Sequence, residues 1–159
     1  MIIPGFIISI LTFPGIIVHE LGHKLFCNLT KVKVHKVCYF RFGNPAGYVV
    51  HDKPSKFSQT FFITVAPFIV NSLAAIFVFI LVNMFGGNKL LLWLGISIGM
   101  HAFPSSGDAK SLWSESNRHV KNNFLAIIGY PFAIFIWIAS ILSVIWFDLI
   151  YAIALWMLV

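Results

Sequence analysis

Two histidines and a glutamate lie close together in the segment HELGH, residues 19–23. In a helix, His19 and His23 stand one turn apart on the same face, so both imidazoles can bind one metal ion. Glu20 projects from the neighbouring side of that face, where it can reach a water molecule at an open coordination position. This spacing is typical of a zinc site that activates water for hydrolysis, with the glutamate as general base. HELGH therefore predicts a hydrolytic Zn²⁺ centre.

The surroundings of HELGH strengthen this interpretation. The motif sits within FIISILTFPGIIVHELGHKLFCNL, residues 6–29, a stretch otherwise apolar enough for lipid. Ionisable side chains in a membrane segment are costly and usually mark a functional pair or path. A chance match, or histidines that merely hydrogen-bond between helices, explains the complete motif less well than a metal site does.

Catalytic zinc sites normally use three protein ligands and a water, so one ligand is missing from HELGH. The segment GMHAFPSSGDAKSLW, residues 99–113, offers His101 and Asp108 as candidates. Asp108 follows Gly107 just beyond a break at Pro104, where the backbone can turn back toward the first helix. Asp108 could instead cap the helix that follows, and His101 could be a packed or hydrogen-bonded histidine. We do not expect His35, His51 or His119 to bind the metal.

Composition predicts an integral membrane protein. The chain has 159 residues, of which 59% are hydrophobic and 10% charged, and the hydrophobic residues come in long blocks. A soluble domain of this size could not bury that much apolar surface. The net charge of +6 arises from short loops between these blocks, so we expect a lipid bilayer, and no nucleic acid, as its surroundings.

The apolar blocks predict an all-α polytopic fold in one membrane-embedded domain, residues 1–159. About four transmembrane helices are expected, at 2–27, 57–85, 89–104 and 124–147, with Pro14 kinking the first. The third block is short for a crossing. The last, which runs on to residue 159, is either one tilted span with an interfacial tail or two spans broken near WFDL, giving a fifth helix. Asp148 is interpreted as an interfacial residue in that tail.

A β-hairpin or small sheet is predicted between the first and second spans, over about 32–51. Apolar and polar residues alternate in KVKVHKVCYF, GNPAG is typical of a turn, and YVV is a second strand-like run. Gly43 and Gly47 permit either an ordinary turn or a close backbone approach. Asn71, within the second span, is expected to hydrogen-bond to another helix, or else to line a substrate groove.

Basic residues predict the orientation. The loops after the first and third spans carry most of the lysine and arginine, whereas the loop between the second and third spans offers only Lys89. Lysine and arginine concentrate in cytoplasmic loops, so the N-terminus is expected outside. HELGH and Asp108 then both lie toward the cytoplasmic side.

Four segments together resemble the site-2 protease family of intramembrane zinc metalloproteases, as a minimal core without a PDZ domain. HELGH resembles the family's HExxH helix, and FGNPAGYVV (42–50) its glycine-containing membrane-associated strand. HAFPSSGD (101–108) resembles its Asn-x-x-Pro…Asp-Gly segment, and APFIVNS (66–72) its second core helix.

This resemblance implies a role for each site residue. His19, His23 and Asp108 would be zinc ligands, Glu20 the catalytic base, and His101 a catalytic residue that helps hold the substrate or the oxyanion. The expected reaction is peptide-bond hydrolysis in or near transmembrane segments of a protein or peptide substrate. The alternative is a non-catalytic membrane zinc-binding protein that uses the site for structure or for binding a substrate.

Overall fold

The computed structural model describes residues 5–159, and 72% of those residues are helical. The helices and strands follow one another as α1 (Gly5–Leu11), α2 (Phe13–Leu29), β1 (Val34–Cys38), β2 (Tyr48–His51), α3 (Phe57–Met84), α4 (Lys89–Met100), α5 (Ser106–His119), α6 (Gly129–Leu142) and α7 (Phe147–Met157). Short 3₁₀ helices, Phe124–Ile128 and Ser143–Ile145, flank α6. The predicted combination of a helical fold with one small β-hairpin is thus confirmed.

Fewer membrane spans are found than the four or five predicted. Within residues 5–159, α3 and the segment Phe124–Ile145 are long and apolar enough to cross a membrane, with 28 and 22 residues. A third span results only if the bent pair α1 and α2 counts as one. Helices α4 and α7 have 12 and 11 residues, so each reaches about 18 Å or less, against roughly 30 Å of hydrocarbon. These findings indicate a membrane protein.

The first predicted span is broken rather than gently kinked. Helices α1 and α2 meet at an angle of 85° around Thr12, and Pro14 lies in the first turn of α2. Proline lacks a backbone N–H and fits the first turn of a helix, so a new helix begins just before it. Residues 2–4 of the predicted span lie outside the described part of the chain.

The last apolar block is also broken, close to WFDL. The 3₁₀ helix Ser143–Ile145 ends at Trp146, whose φ of 65° is left-handed, and α7 begins at the next residue. Helix α7 then packs back on α3 and α4, where Leu155 joins Phe79 and Ile98 in one buried apolar cluster. The block is therefore one span followed by a short packed helix, and the fifth crossing is wrong.

The strands β1 and β2 form the predicted hairpin. They pair antiparallel, with Cys38 opposite Tyr48 and Val37 opposite Val49. The connecting residues 39–47 extend from the strands toward α2, and Gly47 comes into contact with that helix. The hairpin therefore lies beside the segment that carries HELGH.

Helices α2, α3 and α4 are held together at Asn71. This fully buried side chain donates hydrogen bonds to the carbonyls of Gly15 on α2 (3.0 Å) and Ile98 on α4 (3.1 Å). Gly15 lies so close to the Ser97 carbonyl that any β-carbon at position 15 would collide with it. The interhelical role expected for Asn71 is confirmed, and the three helices that frame the site are closely packed.

Candidate metal centre

His19 and His23 face one another on neighbouring turns of α2. Their ring centroids are 4.9 Å apart, which is the arrangement that the helical spacing of HELGH predicts. The Nδ1 atom of His19 lies 2.8 Å from the carbonyl oxygen of His101, and the Nδ1 atom of His23 lies 2.9 Å from that of Ile63. Each imidazole is therefore fixed by a backbone group of a different neighbouring segment.

These two hydrogen bonds also set the protonation of the rings. A carbonyl oxygen can only accept, so Nδ1 of each histidine must carry the hydrogen and donate it. The Nε2 atom of each neutral ring is then left with a free lone pair, which is the form that binds a metal ion. A backbone carbonyl behind a histidine ligand is a common support in metal sites.

Asp108 approaches from the first turn of α5. Ser105 is the N-cap of that helix and Asp108 is the third residue inside it, so the alternative that Asp108 is itself the N-cap is wrong. Its Oδ2 accepts hydrogen bonds from the Ser105 backbone N–H (2.8 Å) and hydroxyl (2.6 Å). Its Oδ1 lies 3.6 Å from Nε2 of His23. One oxygen thus orients the carboxylate and the other faces the histidines.

The charge state of Asp108 suits a ligand. Burial opposes ionisation of its carboxyl group, but the two hydrogen bonds that Oδ2 accepts from Ser105 favour the ionised form. An ionised carboxylate is therefore available at neutral pH.

The three side chains form a group that could hold a metal ion. One ligand atom each from His19, His23 and Asp108 all lie within 4.8 Å of one another. Two imidazole nitrogens and one carboxylate oxygen, with a position left for water, form a donor set that catalytic zinc sites use. The residues present therefore fit Zn²⁺, and the structure brings together the set that the sequence resemblance implied.

Glu20 lies beside this group without being part of it. Glu20 is only 7% exposed, yet it lines the same cavity as the two histidines and Asp108. A β-carbon on Gly47 would come within 2.7 Å of Glu20 Cγ and 2.8 Å of its Oε1. The loop before β2 therefore covers Glu20, and the close-approach alternative for Gly47 is the correct one.

His101 is at the site, but its ring is directed to Thr12. The Thr12 hydroxyl donates to the Ile8 carbonyl (2.7 Å), so it accepts a hydrogen from Nε2 of His101 (2.8 Å). The neutral His101 ring then has no N–H left for a substrate oxygen. Its backbone carbonyl, by contrast, holds His19. The role of the His101 ring in catalysis stays a prediction.

The cavity around the group has a volume of about 480 Å³. Its wall is built from α2, the hairpin residues 45–49, the segment 100–108 and the end of α6 with the start of α7. Such a space is large enough for a short peptide segment. The side chains of His35 and His119 pair with Asp52 and Glu115 and do not belong to the ligand group.

Several contributors were not foreseen from the sequence. The backbone carbonyls of Ile63 and His101 could not be identified from the sequence, because every residue has a carbonyl whatever its side chain. Ser105 could have been found, since Ser105 and Asp108 have the Ser-x-x-acid spacing of a capping box. The contact between Gly47 and Glu20 joins residues far apart in the sequence.

Comparison with known proteins gives one match. The family model DUF3267, described as "Putative zincin peptidase", matches residues 12–114. This range includes both histidines, Glu20, the hairpin and Asp108. No curated protein and no solved structure matches the chain.

Proposed function

This chain belongs to the family described as "Putative zincin peptidase", and from that premise we propose that it is an intramembrane zinc endopeptidase of the site-2 protease type. Its substrates would be membrane proteins or peptides, cleaved in or near a transmembrane segment. The observation that carries the proposal is the meeting of His19, His23 and Asp108 beside Glu20 in one cavity of a protein with membrane-spanning helices.

Each of these residues has a role in the proposed reaction. His19, His23 and Asp108 would hold the zinc ion, which would supply Lewis acidity to the site when bound. Glu20 accepts a proton from the attacking water as the new C–O bond forms. It then passes that proton to the leaving amine nitrogen as the C–N bond breaks. The Gly47 loop keeps the Glu20 side chain in position against α2.

The hairpin supports an extended substrate. Tyr48 and Val49 of β2 line the cavity, close to the candidate ligands. A two-stranded sheet has unpaired backbone groups along its outer edges, and a peptide in extended form can pair with such an edge. A helical substrate would therefore unwind locally at the hairpin, which frees the carbonyl to be attacked.

The distribution of basic residues supports a location for the reaction. Lysine and arginine cluster in the segment between α2 and α3 and in the segment between α4 and α6, which also carries Asp108. We therefore place the site toward the cytoplasmic face, with the N-terminus outside.

The test is a comparison of the wild type with Glu20→Gln, both reconstituted in liposomes with zinc and fluorescent transmembrane peptides. Glutamine keeps the size of the side chain but cannot take the proton. We expect the variant to retain stoichiometric zinc, measured by mass spectrometry, and to lose about 10²–10⁴-fold in cleavage rate. Asp52→Asn, which neutralises an exposed carboxylate outside the cavity, serves as control.

Two outcomes oppose the proposal. Cleavage by Glu20→Gln at the wild-type rate would exclude Glu20 as base. If the wild-type protein binds stoichiometric zinc but cleaves none of the fluorescent transmembrane peptides, the non-catalytic zinc-binding alternative is favoured.

A further inference from the structure

One wall of the cavity has no role in the reaction described above. It is formed where α6 ends and α7 begins, and its polar members are Ser140, Ser143 and Asp148. All three share the cavity with the two histidines, Glu20 and Asp108, although they lie outside the matched range 12–114. Asp148 is partly buried in this wall, and its expected interfacial position stays a prediction.

The two serines have no hydrogen left to donate. The hydroxyl of Ser140 donates to the Ile136 carbonyl, and that of Ser143 donates to the Ser140 carbonyl, both at 2.9 Å. Each hydroxyl oxygen still has a lone pair for a further hydrogen bond. An ionised Asp148 also only accepts. The side chains of this wall therefore offer hydrogen-bond acceptors, which suits a ligand rich in donors.

Asp148 has no cationic partner within residues 5–159. The ion pairs of this part of the chain use Asp52, Asp108 and Glu115, and none reaches Asp148. Burial raises the pKa of the Asp148 carboxyl group, as expected where no cation stabilises its charge. Of the described residues that line the cavity, none is lysine or arginine.

The charges of the site with zinc bound also favour a cationic ligand beside Asp148. A zinc ion carries two positive charges, which the carboxylates of Glu20 and Asp108 together neutralise. The negative charge of Asp148 is then unbalanced, in a partly buried wall of a membrane protein where an unpaired charge is costly. The first turn of α7 is a favourable position for an acidic residue such as Asp148. Helix stabilisation does not explain why Asp148 lines the cavity beside two serines whose hydroxyl hydrogens are already used.

We propose that Asp148, with Ser140 and Ser143, forms a subsite that selects a peptide carrying a lysine or arginine side chain near the cleaved bond. The ammonium or guanidinium group would pair with the Asp148 carboxylate and donate hydrogen bonds to the serine oxygens. This inference rests on the proposed peptidase function, since it assigns the substrate class of the same cavity.

The experiment compares three labelled Leu/Ala transmembrane peptides that differ at one position, which holds lysine, norleucine or glutamate. That position is moved stepwise through the central segment. Cleavage is measured with the zinc-loaded full chain in liposomes, and binding is measured separately by fluorescence anisotropy with the Glu20→Gln protein. We expect about tenfold tighter binding and faster cleavage for the lysine peptide than for the norleucine peptide at the best position.

Three variants decide the role of Asp148. Asp148→Asn should remove the preference for lysine without changing zinc content, and Asp148→Lys should favour the glutamate peptide. Asp52→Asn removes a carboxylate from the surface and should leave the preference as in the wild type. A purely helix-stabilising Asp148 would instead lower thermal stability in both Asp148 variants and leave the ranking of the three peptides unchanged.

The two proposals fail in different ways. Cleavage without a lysine preference, or with one that survives in Asp148→Asn, overturns the subsite and leaves the peptidase intact. Absence of all cleavage, together with lysine-selective binding that depends on Asp148, overturns the peptidase and leaves a cation-binding cavity. Absence of both overturns both.

Discussion

Gly47 and Glu20, 27 positions apart in the sequence, lie so close together at the cavity wall that a β-carbon at position 47 would be 2.7 Å from Glu20 Cγ. The same β-carbon would lie 3.0 Å from a methyl group of Ile16. The hairpin loop thus limits where the carboxylate can go. Glu20 is held on one side by its own helix and on the other by the loop.

Replacing Gly47 by alanine should therefore displace Glu20. The Glu20 side chain is flexible and can move aside, so we expect a stability loss of only about 1–3 kcal/mol, typical of overpacking. Activity should fall more, by at least about tenfold in kcat/KM, because the base is no longer in place. Thermal unfolding, zinc content and peptide cleavage measure these effects.

Gly43→Ala is the matched control for this prediction. A β-carbon there meets only the side chain of Arg41, at 3.7 Å, which is an ordinary contact. Equal loss of activity in both variants would mean that loop flexibility, rather than contact with Glu20, is what matters.

Removal of the Asp108 carboxylate should weaken zinc binding. Asp108→Ala deletes one of the three candidate ligands, and we expect the zinc dissociation constant to rise by more than about 100-fold. Ser105→Ala deletes one of two hydrogen bonds that orient the same carboxylate, and a rise of roughly 10–100-fold is expected, as for other supporting partners of metal ligands. Competition with a chromophoric chelator gives both constants.

The critical observation is whether Asp108→Ala raises the zinc dissociation constant more than Ser105→Ala does. Ser105→Ala also removes the N-cap of α5, which is worth about 1 kcal/mol of helix stability. If Ser105→Ala weakens zinc binding as much as Asp108→Ala does, the helix start rather than the carboxylate controls the site.

Chelation of zinc should lower the thermal stability of the wild type. The ligands lie on α2 and α5, so a bound ion stabilises the folded form that brings them together. Free zinc at 100 times its dissociation constant adds about 2.7 kcal/mol. Asp108→Ala should show little change between zinc and chelator, and an equally large change in that variant would place the stabilising ion elsewhere.

Glu115 should be important for stability but not for metal binding. Its buried carboxylate lies 3.3 Å from Nζ of Lys53, 3.2 Å from Arg118 and 3.4 Å from His119. Lys53 belongs to the segment between β2 and α3, so these contacts fasten the hairpin to α5. The lysine and arginine are well exposed and stay solvated, so Glu115→Gln should cost about 1–3 kcal/mol rather than more.

Urea unfolding measures the stability of Glu115→Gln, and zinc titration measures its metal affinity. Lys110→Gln, an exposed change on the same helix, is the control and should alter neither. A loss of zinc affinity in Glu115→Gln comparable to that of Ser105→Ala would show that the ion pairs position Asp108 through α5.

Local patterns predicted the grouping of the candidate ligands better than the number of candidate membrane spans. The spacing of His19 and His23 fixes their geometry within a single helix, and the turn residues of GNPAG fix a hairpin, so both were predictable. The number of spans was not, because apolar composition does not distinguish a crossing helix from a short one packed on its neighbours. Asp148 shows the same limit, since only the fold of α6 and α7 brings it to the cavity.

The hydrogen bonds behind the two imidazoles have a mechanical consequence. His19 depends on a carbonyl at the end of α4, and His23 on a carbonyl of α3. Sliding either helix relative to α2 would rotate one of the two imidazoles and weaken metal coordination. The affinity for the ion should therefore depend on how α3 and α4 are positioned against α2. By thermodynamic reciprocity, a bound ion would in turn oppose such sliding of α3 and α4 against α2.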